Sequence, residues 1–160
     1  MEKEDLKLAY AAFVKEQKNW LENYATFMAV KDYHDGVMWT QWAADIAFPT
    51  KDSLRKWQDK LRDEIGFYQF LQFAFFKQWF ELKEYANQKG IQIVGDIPIF
   101  VAFDSADVWA NKDLFMLDTK GYPTRVAGVP PDYFSATGQL WGNPLYDWKK
   151  HKAEGYRWWV

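Results

Sequence analysis

The sequence predicts an α/β fold that is mostly helical, and three observations carry that prediction. Apolar residues recur at helical spacing over most of the stretch from Asp5 to Lys89. A β-branched run, Ile91-Gln92-Ile93-Val94, is entered directly after Gly90, in the manner of a buried parallel strand that follows a helix. Downstream lies a proline-stiffened stretch of some 20 residues without hydrophobic period, too long for an ordinary connection. The loops at the carboxyl end of a parallel strand are where α/β folds carry their chemistry. One parallel strand alone leaves both its edges unpaired, and a complete (β/α)8 barrel needs at least about 200 residues. The 160-residue chain therefore reads as a partial (β/α)8 (TIM) barrel, with few parallel strands and a long substrate loop. It is organised as one segment: helical over 1–90, strand plus loop over 91–148, and the start of another helix over 149–160.

Taken in order, Asp5 to Asp32 is helical, with Leu6, Ala9, Tyr10 and Phe13, then Trp20, Leu21, Tyr24, Phe27 and Met28, at helical intervals. A break is expected near Lys18, with Asn19 able to cap the second part. His34-Asp35-Gly36 marks a turn, and Trp39 to Pro49 reads as irregular. Thr50 to Ser53 offers a start signal for a helix running to Lys89 with a bend near Gly66. Its first part is amphipathic through Leu54, Trp57, Leu61 and Ile65. Its second part is aromatic almost all round (Phe67, Tyr68, Phe70, Phe73, Phe75, Phe76, Trp79, Phe80), which predicts a buried helix packed on the barrel. Gly90 stands where a left-handed cap is needed. Ser105 to Trp109 reads as one helical turn capped by Asp104 or Ser105, and Lys120-Gly121-Tyr122-Pro123 as a turn.

Composition narrows the function. Twenty Lys and Arg against 22 Asp and Glu leave a formal charge of −2 and no basic face, which argues against a nucleic-acid partner. Aromatic residues make up 20% of the chain, with 10 Trp among them. Their flat apolar faces suit sugar rings, so a neutral polyol fits this charge better than a polyanion does. The absence of cysteine fits a reducing compartment. The charged start, Met1-Glu2-Lys3-Glu4-Asp5, is unlike a secretory signal, and the polar interruptions of Ile65 to Phe80 are unlike a membrane span. A cytoplasmic location without membrane attachment is expected.

The densest signal runs from Gly95-Asp96-Ile97-Pro98-Ile99-Phe100 through Asp104-Ser105-Ala106-Asp107-Val108-Trp109. It ends in Gly128-Val129-Pro130-Pro131-Asp132-Tyr133-Phe134-Ser135-Ala136-Thr137-Gly138-Gln139-Leu140-Trp141-Gly142-Asn143-Pro144-Leu145-Tyr146-Asp147-Trp148. This segment resembles the amylomaltase family, the 4-α-glucanotransferases or disproportionating enzymes of the α-amylase clan. Weaker resemblance extends to Trp20-Leu21-Glu22-Asn23-Tyr24-Ala25 and Trp39-Thr40-Gln41-Trp42, and nearly the whole chain falls within it. The resemblance implies a (β/α)8 barrel that cuts an α-1,4-glucosidic bond in a maltooligosaccharide or amylose and passes the held glucan to another glucan's 4-hydroxyl. Such double displacement uses two carboxyl groups about 5–5.5 Å apart. The resemblance puts those groups beyond Val160, so no catalytic residue is expected here, and the isolated chain is expected to be inactive. No cofactor and no metal are implied; the partners are α-1,4-glucans.

For individual residues, the resemblance implies that Trp141 lines the sugar subsites beside the scissile bond; an indole that anchors its loop is the alternative. The amides of Gln139 and Asn143 suit sugar hydroxyls or bonds within the loop. Asp132, Tyr133 and Phe134, after the stiff Pro130-Pro131 pair, are implied to overhang the bound glucan, or else to pack beneath the loop. Asp96 matches a position that supports the catalytic centre from behind; capping the next turn is the alternative. Asp104 and Asp107, three apart at a helix start, read as capping residues rather than as an acid pair. His34 and His151 have no second ligand nearby in sequence. Two other functions compete: a non-catalytic starch- or maltodextrin-binding module, and a helical domain that meets a protein partner.

Overall fold

A computed structural model describes residues 3–160. The chain divides into two compact units. The first comprises the chain up to Gly36 together with Phe48–Ile97; the second comprises Val37–Ala47 and Pro98–Val160.

The first unit is helical. It contains α1 (Lys3–Glu16), α2 (Lys18–Tyr33), α4 (Lys51–Lys60) and α5 (Arg62–Gln88). The break between α1 and α2 falls at Gln17, which caps α2 without a side-chain hydrogen bond, so Asn19 is not the cap. The Gln17 amide oxygen instead accepts from the Trp20 indole at 2.7 Å. α4 starts in a capping box: Ser53 N donates to Thr50 Oγ1 (3.2 Å), and Thr50 N donates back to Ser53 Oγ (2.9 Å). The expected bend at Gly66 occurs five residues earlier, at Leu61, whose φ/ψ of −109/31 separates α4 from α5. Gly66 remains helical because its i→i−4 ladder continues unbroken past it. Gly90, at φ +76, closes the helical region in the left-handed conformation expected of it.

The core of this unit is made by Leu21, Ala25, Phe27, Ala29 and Val30 of α2, with Leu61, Ile65 and Phe73. Phe73 meets Tyr10 and Phe13 of α1 at ring centroid distances of 5.6 and 5.7 Å. Phe76 meets Phe13 and Trp20, both at 5.7 Å. Only this stripe of α5 is covered. Phe67, Phe70, Phe75 and Phe80 are exposed, so the expectation of a helix buried all round fails within this chain. The physical reason is that α1 and α2 together cover one side of α5 and nothing among the described residues covers the rest.

A second correction concerns Ile91 to Val94. This run joins no ladder, and Val94 is 91% exposed. A strand is stable only when neighbours accept and donate its backbone hydrogen bonds. Among the described residues the one ladder is antiparallel, between β1 (Val126–Val129) and β2 (Gln139–Pro144). The predicted parallel strand therefore does not form, and the predicted long loop contains a hairpin.

The second unit has a core built around tryptophan. Trp39 and Gln41 bound a short 3₁₀ turn and α3 (Ala44–Ala47) follows, so this stretch is less irregular than expected. Three buried indoles each donate to a backbone carbonyl: Trp39 to Phe103 (3.0 Å), Trp42 to Val37 (3.0 Å) and Trp109 to Ile46 (2.9 Å). α6 (Ala106–Ala110) is capped by Ser105, whose Oγ accepts from Val108 N. Asp104 does not cap; it accepts from the Trp39 amide at 3.3 Å. Lys112 lies against the Trp39 and Trp109 rings, 5.0 and 5.5 Å from their centroids. Burial pushes its ammonium down to about 8, against the opposing pull of the Asp113 carboxylate. α7 (Trp148–Ala153) is capped by Asp147 and ends sooner than the expected helix, because Gly155 and Tyr156 both adopt positive φ. His151 in α7 is fully buried, with Nε2 3.1 Å from the Leu114 carbonyl oxygen. No helix among the described residues is long and apolar enough to cross a membrane.

Phe73→Ala should destabilise the chain by about 3–5 kcal/mol in urea denaturation. Phe75→Ala, at an exposed site on the same helix, should stay within about 0.5 kcal/mol. Equal losses would show that α5 is covered on both sides. Lys112 makes a pH prediction with a definite sign. Its folded value of about 8 lies below the unfolded value near 10.5, so the unfolded state binds more protons between them. Stability should rise as pH increases from about 8 toward 10, before tyrosine ionisation intervenes. Lys112→Met should abolish that rise; a parallel profile in the variant would contradict the burial argument.

Candidate functional site

The hairpin is held together at two glycines. Gly128 pairs with Leu140 and Val129 with Gln139. A Cβ on Gly128 would lie 2.8 Å from the Gln139 carbonyl oxygen, and one on Gly138 would lie 2.5 Å from the Val129 carbonyl oxygen. Gly138 also sits at φ +75. No other residue can hold the two strand ends this close.

Between these glycines Pro130 and Pro131 carry the chain outward. The tip then closes on Asp132, whose Oδ1 accepts from Phe134 N (2.9 Å) and Ser135 N (2.8 Å), while Asp132 N donates to the Ser135 carbonyl (2.9 Å). Ser135 Oγ ties the turn to the Gly138 carbonyl at 2.8 Å. With its polar groups bonded inward, the tip directs its two rings outward. Tyr133 is 97% exposed and Phe134 88%, packed edge to face at 5.6 Å. They do not pack beneath the loop.

Gln139 and Trp141, two apart on β2, share a face. The Trp141 indole donates to the Gln139 amide oxygen at 3.0 Å. The Trp141 ring rests edge-on against Phe100 at 6.1 Å, and Phe100 stacks on the buried Tyr146 ring at 6.0 Å. Trp141 is thus anchored on one side and 47% exposed overall. Gly142 within β2 sits at φ +80. Asn143 beyond it turns inward and donates to the Val101 carbonyl at 2.8 Å. Its amide hydrogen bond is therefore spent in bracing the hairpin against the segment before α6.

The structure thus brings Trp141 and Gln139 together on β2 and sets Asp132, Tyr133 and Phe134 at the tip above it in sequence. Asp96 belongs to the first unit; it is exposed, and its Oδ1 accepts from the adjacent Ile97 amide at 2.8 Å. Phe100 and Tyr146 were not singled out from sequence as a support for Trp141. The available signal was an aromatic immediately after Pro98-Ile99 and another two residues past Pro144. No group of three potential metal ligands occurs among the described residues.

The hairpin thus presents exposed aromatic rings at its tip and, in part, on β2. The family model for 4-alpha-glucanotransferase matches residues 1–160. The chain belongs to the 4-alpha-glucanotransferase family. It is 55% identical over 152 residues to the 4-alpha-glucanotransferase of Synechocystis sp., which covers 94% of this chain and 30% of that protein. The Thermus thermophilus 4-alpha-glucanotransferase is 50% identical over 152 residues, covering 95% of this chain and 30% of that protein. Among solved structures, the amylomaltase from Streptococcus agalactiae in complex with acarbose matches with a TM-score of 0.89 and 43% identity. That match covers 99% of this chain and 32% of the amylomaltase chain. The chain therefore spans about 30% of the length of the 4-alpha-glucanotransferases it matches.

Gly138→Ala and Gly142→Ala both force a side chain into the left-handed region, at a cost of about 1–2 kcal/mol. Only Gly138 also meets backbone, since nothing lies within 4 Å of a Cβ at Gly142. Gly138→Ala should therefore lower the unfolding midpoint more than Gly142→Ala and should shift the amide resonances of Val129 to Leu140. Equal midpoints would mean that the strand ends are not in contact.

Proposed function

We propose that this chain is a segment of a (β/α)8-barrel 4-alpha-glucanotransferase and supplies one wall of its glucan-binding site. The catalytic carboxylates lie elsewhere in the parent protein. The parent transfers α-1,4-glucan segments between maltooligosaccharides or amylose by retaining double displacement. The observation that carries the reading is the hairpin tip, where two nearly fully exposed rings are held by a turn whose polar groups are internally bonded. A soluble chain gains nothing in stability from aromatic rings kept in water, whereas a bound sugar chain would bury them.

In this reading Trp141 offers the exposed part of its indole to a glucose ring, while the carbonyl side of Gln139 is occupied by that same indole. The Gln139 amide nitrogen remains the group directed to sugar hydroxyls. Asn143 acts indirectly, by holding β2 against the residue 101 backbone. Asp132 likewise shapes the tip, and Tyr133 and Phe134 make its contact. Asp96 has a supporting role that depends on the rest of the barrel. The likeness to an amylomaltase solved in complex with acarbose supports a glucan-like ligand. The exposed apolar run at Ile91 to Ile97 and the open face of α5 support a barrel context, because both are surfaces that neighbouring strands and helices would cover.

Replacing both tip rings, Tyr133→Ala with Phe134→Ala, should weaken maltoheptaose binding by about tenfold, equivalent to 1.4 kcal/mol, in isothermal titration. The unfolding midpoint should hardly move, because neither ring is part of a core. The purified 160-residue chain should release no glucose from maltotriose. Steady glucose release would show that it carries its own catalytic groups, and unaltered binding in the double variant would remove the tip from the site.

A further inference from the structure

The first unit contains a cavity remote in sequence from the hairpin. Its volume is about 420 Å³, and its walls come from α1, α2, α4 and α5. Three cations line it, Lys15, Lys18 and Arg62, against the single carboxylate of Glu22. That carboxylate is already engaged, accepting from the Gln58 amide at 3.2 Å. Arg62 has a partial partner outside the cavity lining in Asp59, at 3.0 Å. Neither Lys15 nor Lys18 forms an ion pair with a carboxylate among the described residues. The lining thus carries an excess of two positive charges, three cations less one carboxylate.

The remaining wall is chemically mixed. Thr26, only 1% exposed, presents a hydroxyl that the Gln58 amide approaches at 3.4 Å. Gln69 adds a second amide, and Ala11, Val14 and Ile65 supply apolar surface. The Gln58 nitrogen is engaged by Glu22 and Thr26, and Gln69 Oε1 accepts from the Tyr10 hydroxyl, so Gln58 Oε1 and Gln69 Nε2 are the amide atoms left for a ligand. A bare inorganic anion would fill a small part of this volume and leave these two atoms and the apolar wall without a role. A neutral sugar would leave the cations unmatched. A singly charged acid would neutralise half of the excess.

We propose that this cavity binds a phosphate monoester of a monosaccharide-sized polyol, with the dianionic phosphate between Lys15, Lys18 and Arg62 and the hydroxyls toward Gln58 Oε1 and Gln69 Nε2. Ammonium and guanidinium groups donate charge-assisted hydrogen bonds to phosphate oxygens, and amides and hydroxyls match sugar hydroxyls in both donor and acceptor capacity. The volume lies within the range of small-molecule sites. The lysines are exposed, so the attraction is screened by salt and the affinity is modest. This site shares no residue with the hairpin and does not depend on the reading proposed for it.

Titration of the 160-residue chain with glucose 6-phosphate, monitored by calorimetry and by amide shifts of α1, α2 and α5, tests the proposal. Glucose 6-phosphate should bind at least about tenfold more tightly than glucose, inorganic phosphate or glucuronate. Raising the ionic strength from about 0.01 M to about 0.15 M should weaken it, as the Debye length falls from about 30 to about 8 Å. Lys15→Ala combined with Lys18→Ala changes two exposed side chains, should retain the helical circular dichroism, and should lose at least about tenfold in affinity. Equal binding of inorganic phosphate would reduce the site to an unspecific anion patch. Equal binding of glucuronate would overturn the dianion, and equal binding of glucose would overturn any role for charge. An unchanged affinity in the double variant, or no saturable shift in wild type, would overturn the proposal as a whole. Maltoheptaose binding should be unaffected by the lysine pair, which separates this outcome from any failure of the hairpin reading.

Discussion

The candidate site depends on one steric constraint: at two points the hairpin backbones approach too closely to admit a Cβ. Gly128 and Gly138 meet the carbonyl oxygens of Gln139 and Val129 across the ladder. That contact sets the register of β1 on β2. The register in turn sends Pro130-Pro131 outward and returns the chain through Ser135 to Gly138. The local hydrogen bonds of Asp132 then close the tip between these pinned ends. Preorganisation of this kind reduces the ordering cost that a ligand would otherwise impose on a loop.

The chain uses its aromatic residues in two distinct ways. In the second unit Trp39, Trp42 and Trp109 combine large apolar burial with one satisfied N–H each, a polar handle that fixes the ring orientation. Each such hydrogen bond contributes about 1 kcal/mol net, but leaving a buried N–H unpaired would cost more. The specificity of these cores thus comes from the backbone carbonyls of residues 37, 46 and 103 as much as from the rings. Tyr133, Phe134 and the outer part of Trp141 have no such partners in the interior. Phe100 links the two uses, with one ring contact in the core through Tyr146 and another at the surface through Trp141.

Much of this was legible in the sequence because it rests on local rules. The helices, the Thr50 to Ser53 start, the Gly90 cap and the Ser105 turn all follow from spacing and capping chemistry. What was not legible depends on partners distant along the chain. The run Ile91 to Val94 has strand composition, but composition cannot provide the neighbouring strands that make a ladder. The hairpin was hidden because β1 is only four residues long and both strands lack alternation; its signal was the pair Gly128 and Gly138, ten residues apart, which look like ordinary loop glycines. Among the site residues, the sequence left open whether Tyr133 and Phe134 overhang a ligand or pack beneath the loop, and only the stiff approach of the chain to the tip followed from the proline pair. The inward turn of Asn143 did not, because it depends on the positive φ of Gly142 and on a carbonyl 42 residues away. Position along the helix pattern likewise identified α5 as apolar but could not say which of its faces α1 and α2 would reach.

The division into two units also bears on the order in which the chain matures as it is synthesised. Val37–Ala47 belongs to the second unit, although the first unit lies on both sides of it in the chain. Trp39 and Ile46 find their partners at Phe103, Asp104 and Trp109, between 63 and 65 residues later. At about 5–20 residues per second, those partners leave the ribosome some 3–13 s after the segment itself. The four-helix unit has all its residues by then, while the Trp39 indole still awaits its carbonyl partner. Closing so long a loop costs only slowly increasing entropy, so the delay is tolerable in free energy. Its consequence is kinetic: until residues 103–109 emerge, this tryptophan-bearing stretch is open to premature association.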